Sequence, residues 1–378
     1  MNHSLFLIAI VGIVSAVFHG IGLFENPPLA SLAGGWHIVY SDIVPFFEKA
    51  IEPGFPYIGK TIEYPVLTGL FVHLMGIVGG GTEMGYYIAT AFFLIAFAGG
   101  ATYFLTRMRS QEADRKPLLF FWILAPSMLI FMIYNWDMIA VFFTVLGLYM
   151  MTRARPYAAV ASFAFGFASK FYPIIYLAPL LIAQKTNKAR VYSVAVFGGV
   201  ALALNGVFML AGRSFSEGWV AHWQNLSYFF IFNRLRQANP DSIWTAIQLL
   251  AGPLEVSAIN IISLVLFAGS FGIFLWRFRK ENQLFLSFGG TILFLLFNKV
   301  FSPQYLLWLL PFFALMPIKK RWFYSLEFAN LAALFSILAW FFLGREAIYL
   351  WLTVAFVVIR HAALIAVCAS LCKTKTLR

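Results

Sequence analysis

Charge is scarce in this chain. Charged residues are 11% of the 378, against 61% hydrophobic ones. That ratio excludes an ordinary soluble fold, whose surface needs far more charge. Cysteine is nearly absent: Cys368 and Cys372 sit one helical turn apart in the last apolar run, so no disulfide framework is implied. There is no nucleotide-binding motif, which fits a sugar-nucleotide donor poorly. No linker or low-complexity stretch divides the sequence, so one domain over 1–378 is expected. The lack of an internal repeat disfavours inverted-repeat transporters. Residues 1–24 lack a basic leader and a small-residue cleavage site, and are expected to be a retained first span.

What is present is a series of apolar runs of about twenty residues, the pattern of an all-α polytopic membrane protein with about twelve transmembrane helices. Expected spans lie near 4–24, 84–106, 117–134, 137–152, 191–212, 256–276, 283–299, 303–317, 322–343 and 346–372. A run at 157–184, too long for one straight span, is broken at Ser169–Pro173. The net charge of +12 comes from Lys and Arg scattered through short loops. That is the footprint of the positive-inside rule and not of a nucleic-acid-binding face. Aromatics reach 19%, enough for lipid-facing rings and for a groove that takes a long isoprenoid or acyl chain.

The longest polar interruption near the start, residues 40–73, carries Asp42, Glu48, Glu52 and Glu63 around a Pro/Gly-rich centre. Irregular backbone cannot face lipid, because its N–H and C=O groups would go unpaired. It belongs in water at one membrane face, within a first outer loop of about 25–83. Residues 64–78 would form a helix of about 22 Å, short of the ~30 Å hydrocarbon core. If that helix lies along the interface, the N-terminus, the C-terminal tail and the main basic clusters all share the cytoplasmic side. The chain is then expected as a multi-pass protein with both termini cytoplasmic and a second outer loop at about 213–243. The compact length favours a prokaryotic plasma membrane, with the endoplasmic reticulum left open.

On that topology the outer face collects Asp42, Glu63, Asp137, Lys170, Arg234, Arg236, Lys299 and Gln304. A charge at mid-helix costs about 2.5–3.5 kcal/mol on insertion scales, so it faces a cavity or a partner. A structural Asp137–Lys170 ion pair would explain two of these residues, and Lys299 alone would suit a snorkelling anchor. Cations beside a carboxylate also suit group transfer from a lipid phosphate. The cations hold and stabilise the departing phosphate, and a carboxylate takes the proton of the acceptor hydroxyl. Asp42 is placed for the second role. The sequence leaves open a transporter or flippase of a polyprenyl-linked sugar, which would need the cations and no base.

Four stretches carry a family resemblance. They are Tyr40-Ser41-Asp42 with Pro56-Tyr57 and Tyr64-Pro65-Val66-Leu67; Asn135-Trp136-Asp137; Lys170-Phe171-Tyr172-Pro173; and Phe297-Asn298-Lys299-Val300-Phe301-Ser302-Pro303-Gln304-Tyr305-Leu306-Leu307-Trp308. In order and spacing over roughly 40–317, the chain resembles the GT-C glycosyltransferases that use polyprenyl-phosphate sugars. The likeness is to the first mannosyltransferase of glycolipid-anchor synthesis and its prokaryotic polyprenyl-phosphate-mannose relatives.

The resemblance implies a GT-C-like bundle, a juxtamembrane helix at Tyr-Pro-Val-Leu, and inverting transfer at the outer face. It implies a polyprenyl-phosphate sugar donor, a lipid-linked or glycan acceptor, surrounding membrane lipids and no nucleic acid. Asp42 takes the place of the acidic residue in the first outer loop, with Glu63, directly before Tyr-Pro, as the rival base. The anchor enzymes carry D-x-D where this chain has Asp42-Ile43-Val44, so a divalent metal is weakly supported and no cofactor is required. Lys170, Tyr172, Asn135, Asp137 and Lys299 are candidates for the donor. Gln304 and Tyr305 are candidates for sugar hydroxyls, and Arg234 and Arg236 for a phosphorylated acceptor or lipid headgroups.

Overall fold

A computed structural model describes residues 2–23, 39–109, 115–213 and 219–376. Residue 24 of the expected first span, residues 25–38 of the expected first outer loop, residues 214–218 of the second, positions 110–114 and Arg378 lie outside the described residues, as do the side chains of Arg213, His222 and Lys375.

Among the described residues the chain is almost wholly helical. Its sheet is one pair of two-residue strands, Phe55–Pro56 and Gly59–Lys60. Six helices are long and apolar enough to cross a membrane: His3–Gly20, Glu83–Met108, Asn187–Phe208, Val256–Phe278, Lys320–Phe342 and Ala347–Lys373. Six further apolar helices run 10–17 residues. This is an all-α, multi-pass integral membrane protein.

Proline sets where the apolar runs break. The expected span 117–134 passes through a π-helical turn, Leu119–Ile123, and restarts at Pro126–Phe131. Pro126 has no N–H to continue the ladder. The expected span 303–317 divides into the 3-10 turn Pro303–Trp308 and the helix Leu310–Leu315, with Pro311 in its first turn. The run 157–184 breaks as expected, into Pro156–Phe167, Tyr172–Tyr176 and Leu177–Ala183. The helix expected to end at residue 299 stops at Phe297, leaving Lys299 in a turn. The second outer segment is more ordered than its polar content suggests, since it holds the helix Trp219–Leu235. Leu226 and Phe229 bury one face of that helix at i,i+3 spacing.

The chain divides into two compact units. The first comprises Met1–Val17, Ser41–Ser110 and Met132–Leu235. In it the helix Asp137–Thr152 packs against Glu83–Met108 and Pro156–Phe167. Gly147 permits the second contact, because a Cβ there would collide with the ring of Phe163. The second unit comprises Phe18–Tyr40, Gln111–Phe131 and Arg236–Arg378. Its centre is the packed pair Lys320–Phe342 and Ala347–Thr376. Within it, buried Glu327 accepts from the Ser127 backbone N–H at 2.9 Å and the Ser127 hydroxyl at 2.7 Å. These bonds satisfy donors at the start of Pro126–Phe131.

Candidate active site

In the first unit, the segment before the helix Val66–Val78 is tied down residue by residue. Lys60 donates to the carbonyls of Lys49 (3.0 Å) and Glu52 (2.9 Å), capping the short helix Phe47–Ile51. Burial pushes the Lys60 ammonium below its ordinary value. Tyr57 sits in left-handed backbone at φ 64°, an uncommon state for a residue with a bulky side chain. Its buried hydroxyl lies 2.8 Å from the Tyr64 carbonyl and 2.9 Å from that of Pro65. Gly69 makes room, since a Cβ there would strike the hydroxyl.

Pro65 then opens Val66–Val78, a helix of 13 residues, about 20 Å long and too short to cross the hydrocarbon core. Leu74, Ile77 and Val78 on its outer side are exposed. The amide of Leu67 donates to the Ala168 carbonyl at 2.8 Å, and the Thr68 hydroxyl donates to the Ser169 carbonyl at 2.9 Å. The Tyr-Pro motif and the Lys-Phe-Tyr-Pro break are thereby fixed to each other.

This docking places Lys170. Its ammonium lies 3.5 Å from Asp137 Oδ1 and 5.0 Å from the centroid of the Tyr64 ring. Asp137 is fully buried in the first turn of Asp137–Thr152, where the helix dipole favours an anion. The structural ion pair anticipated from sequence is therefore present. Tyr172 lies behind it, fully buried, with its hydroxyl accepting from Thr144 at 2.9 Å.

Asp42 joins the same constellation. Its amide donates to the Tyr134 carbonyl at 2.9 Å, and its Oδ2 accepts from Asn135 Nδ2 at 2.7 Å. The same amide group of Asn135 donates to the Tyr64 hydroxyl at 3.2 Å, while Asn135 Oδ1 accepts from the Trp136 N–H at 2.5 Å. The rings of Phe46, Tyr64 and Trp136 close on one another edge to face, with centroids 5.0–5.5 Å apart. Asp42 is half-buried, held by an amide yet open to solvent. Glu63, also half-buried, makes no hydrogen bond or ion pair with any described residue. Among the described residues no three His, Cys, Asp or Glu side chains gather as a metal set.

Beside Tyr64 opens a small, shallow cleft lined by Val66, Phe167, Phe171, Leu226, Phe229 and Phe230 among others. Arg234 is exposed at the end of Trp219–Leu235.

The remaining candidates belong to the second unit. Lys299, 7% exposed, donates to the Arg236 carbonyl at 2.7 Å, and its own carbonyl accepts from the Asn239 amide at 3.1 Å. Burial, with the Arg236 guanidinium adding to it, pushes the Lys299 ammonium down to about 8. Arg236 donates to Asn239 Oδ1 (2.8 Å), and Asn239 to the Ser302 hydroxyl (3.0 Å). Gln304 is buried in the 3-10 turn, and Tyr305 stacks on Trp308 with centroids 4.0 Å apart.

The first unit thus brings together Asp42, Asn135, Asp137 and Lys170, and the second gathers Arg236 and Lys299. Sequence reasoning missed the Phe46–Tyr64–Trp136 ring cluster and the Tyr57 clamp. The only signal for them was the presence of Tyr57, Tyr64 and Trp136 inside the quoted motifs.

The chain is 24% identical over 192 residues to the GPI mannosyltransferase 1 of Kluyveromyces lactis, covering 47% of this chain and 46% of that protein. The chain therefore spans about half the length of that curated relative. The family described as Mannosyltransferase (PIG-M) matches residues 130–365. That match takes in Asn135, Asp137, Lys170, Arg236 and Lys299 over more than half of the sequence, and the chain belongs to the PIG-M mannosyltransferase family.

Proposed function

We propose that the protein moves mannose from a polyprenyl-phosphate donor to a lipid-linked acceptor at the extracytoplasmic face, with inversion at the anomeric carbon. The observation that carries this reading is the hold on Asp42. Its carboxylate is oriented by Asn135, which also binds Tyr64, the ring over which Lys170 lies.

In the proposed reaction Asp42 takes the proton of the acceptor hydroxyl as that oxygen bonds to the anomeric carbon. The bond from that carbon to the phosphate oxygen breaks, and polyprenyl phosphate leaves as an anion. A phosphate is stable without protonation, so one base suffices. Lys170 stabilises the charge that develops on the leaving phosphate. Lys299, in the second unit, binds a polyprenyl lipid phosphate as a point charge. The aromatic and aliphatic side chains around the cleft beside Tyr64, with Asn205 as its one amide, suit contact with part of an isoprenoid chain. The Asp137 carboxylate holds the Lys170 ammonium in place.

The test is transfer from radiolabelled polyprenyl-phosphate mannose into a lipid extract by purified protein in nanodiscs. Loss of transfer in Asp42→Asn, with donor binding kept and Glu63→Gln active, supports this reading. Loss in Glu63→Gln alone would move the base to the residue before Tyr64. Lipid translocation without transfer by wild type would replace the transferase with a transporter.

A further inference from the structure

Arg360 lies near the middle of the helix Ala347–Thr376, fully buried in an apolar run. A cation there is expensive unless its donors are satisfied, and such residues usually serve a site. Its two terminal nitrogens are directed at the turn that carries Lys299, at the neighbouring 236–241 turn and at Asn330, while its Nε makes no hydrogen bond to a described residue. One nitrogen donates to the Phe301 carbonyl at 3.0 Å and also to the Asp241 carbonyl; another donates to Asn330 Oδ1 at 3.0 Å. The guanidinium also covers the Phe301 ring at 3.8 Å. Asn330 in turn donates to the Pro303 carbonyl at 2.9 Å. The 236–241 turn and the 298–303 turn are therefore joined through one side chain and its amide relay. Between them the Lys299 ammonium meets the Arg236 carbonyl and the Asn239 amide meets the Lys299 carbonyl.

A planar fork with several fixed donors can hold two carbonyls and an amide oxygen at once, which a lysine ammonium on a flexible stem does less well. We propose that Arg360 is a positioning residue that clamps the two turns and so presents the Lys299 ammonium to a polyprenyl lipid phosphate. This inference rests on the reading that Lys299 binds that phosphate.

The test is a double-mutant cycle on equilibrium binding of polyprenyl phosphate to the full chain in nanodiscs. It uses wild type, Lys299→Ala, Arg360→Lys and the double variant, with thermal unfolding followed in parallel. Lys299→Ala and Arg360→Lys are each expected to weaken binding about tenfold, and the double variant no further than the weaker single, because both changes act on one contact. Asn330→Ser, which removes the relay and spares the guanidinium, is expected to weaken binding about threefold. It also serves if Arg360→Lys does not fold.

Full additivity in the double variant would overturn the inference. So would an Arg360→Lys protein that melts earlier yet binds as wild type, since Arg360 would then only support the fold. Unchanged binding in Lys299→Ala would instead remove the phosphate role of Lys299, and the inference with it.

Discussion

The Asn135 amide donates to Asp42 Oδ2 at 2.7 Å and to the Tyr64 hydroxyl at 3.2 Å, so one side chain sets the direction of the proposed base. Asn135 is itself fixed, because its oxygen takes the Trp136 N–H. An ordered base is worth more than a mobile one, since proton transfer depends on hydrogen-bond reach in the reacting complex. Asn135→Ala is expected to lower transfer at saturating donor by about 10–100-fold, against about 10²–10⁴-fold for Asp42→Asn. Donor binding should be nearly unchanged in both. Steady-state rates of the two variants check this, and an Asn135→Ala enzyme of wild-type rate would remove the amide from the mechanism.

The Lys170–Asp137 pair has a different signature. Asp137 is wholly buried, so Lys170→Met leaves a carboxylate without the cation that lies 3.5 Å away. Breaking a buried pair from one side costs about 3–5 kcal/mol. The expected outcome is a large drop in thermal stability for Lys170→Met. In the double variant with Asp137→Asn, which leaves no buried charge, much of the stability should return. If Lys170 also serves the donor phosphate, transfer will not return with it. Restored stability with restored transfer would confine the pair to the fold.

Much of this was legible in the sequence, and the reasons are physical. Apolar runs with almost no charge are heavily constrained by the bilayer, so the all-helical, multi-pass class followed from composition. The break at Ser169–Pro173 and the short helix after Tyr64-Pro65 were readable because proline and length act locally. The Asp137–Lys170 contact was anticipated because a buried charge needs a partner. What stayed hidden depends on through-space pairing. Arg360 gave no sign of which carbonyls it would hold, because Asp241, Phe301 and Asn330 are 119, 59 and 30 residues away. Trp219–Leu235 was obscured for another reason: its polar residues dilute the apolar signal, although Leu226 and Phe229 keep helical spacing.

Tyr57 and Gly69 are expected to behave as a coupled pair. The Tyr57 hydroxyl braces the carbonyls of Tyr64 and Pro65, where the helix Val66–Val78 begins. Tyr57→Phe leaves those carbonyls without that donor and should cost about 1–3 kcal/mol. Gly69→Ala should cost a similar amount, about 1–3 kcal/mol, by forcing a methyl group against the hydroxyl. Their sum should exceed the cost of the double variant, because removing the hydroxyl relieves part of the clash. Chemical denaturation of the four proteins measures the coupling, and strict additivity would show that the two positions do not share a contact.

Lys299 makes pH a probe of the second cluster. Burial, reinforced by Arg236, lowers its ammonium from an ordinary 10.5 to about 8. Above pH 8 the free protein loses this proton, whereas an unfolded chain keeps it until about 10.5. Through that window the unfolded state binds more protons, so the lysine's contribution to stability rises with pH. Polyprenyl-phosphate binding should move the opposite way, because it needs the ammonium. Affinity is expected to hold from pH 6.5 to 7.5 and to fall about tenfold per unit well above pH 8. Lys299→Arg, whose guanidinium stays charged over this range, should flatten the fall even if its affinity at pH 7 is lower. Binding isotherms of wild type and Lys299→Arg from pH 6.5 to 9.5 decide the matter. The same alkaline decline in both proteins would assign the titration to a group other than Lys299.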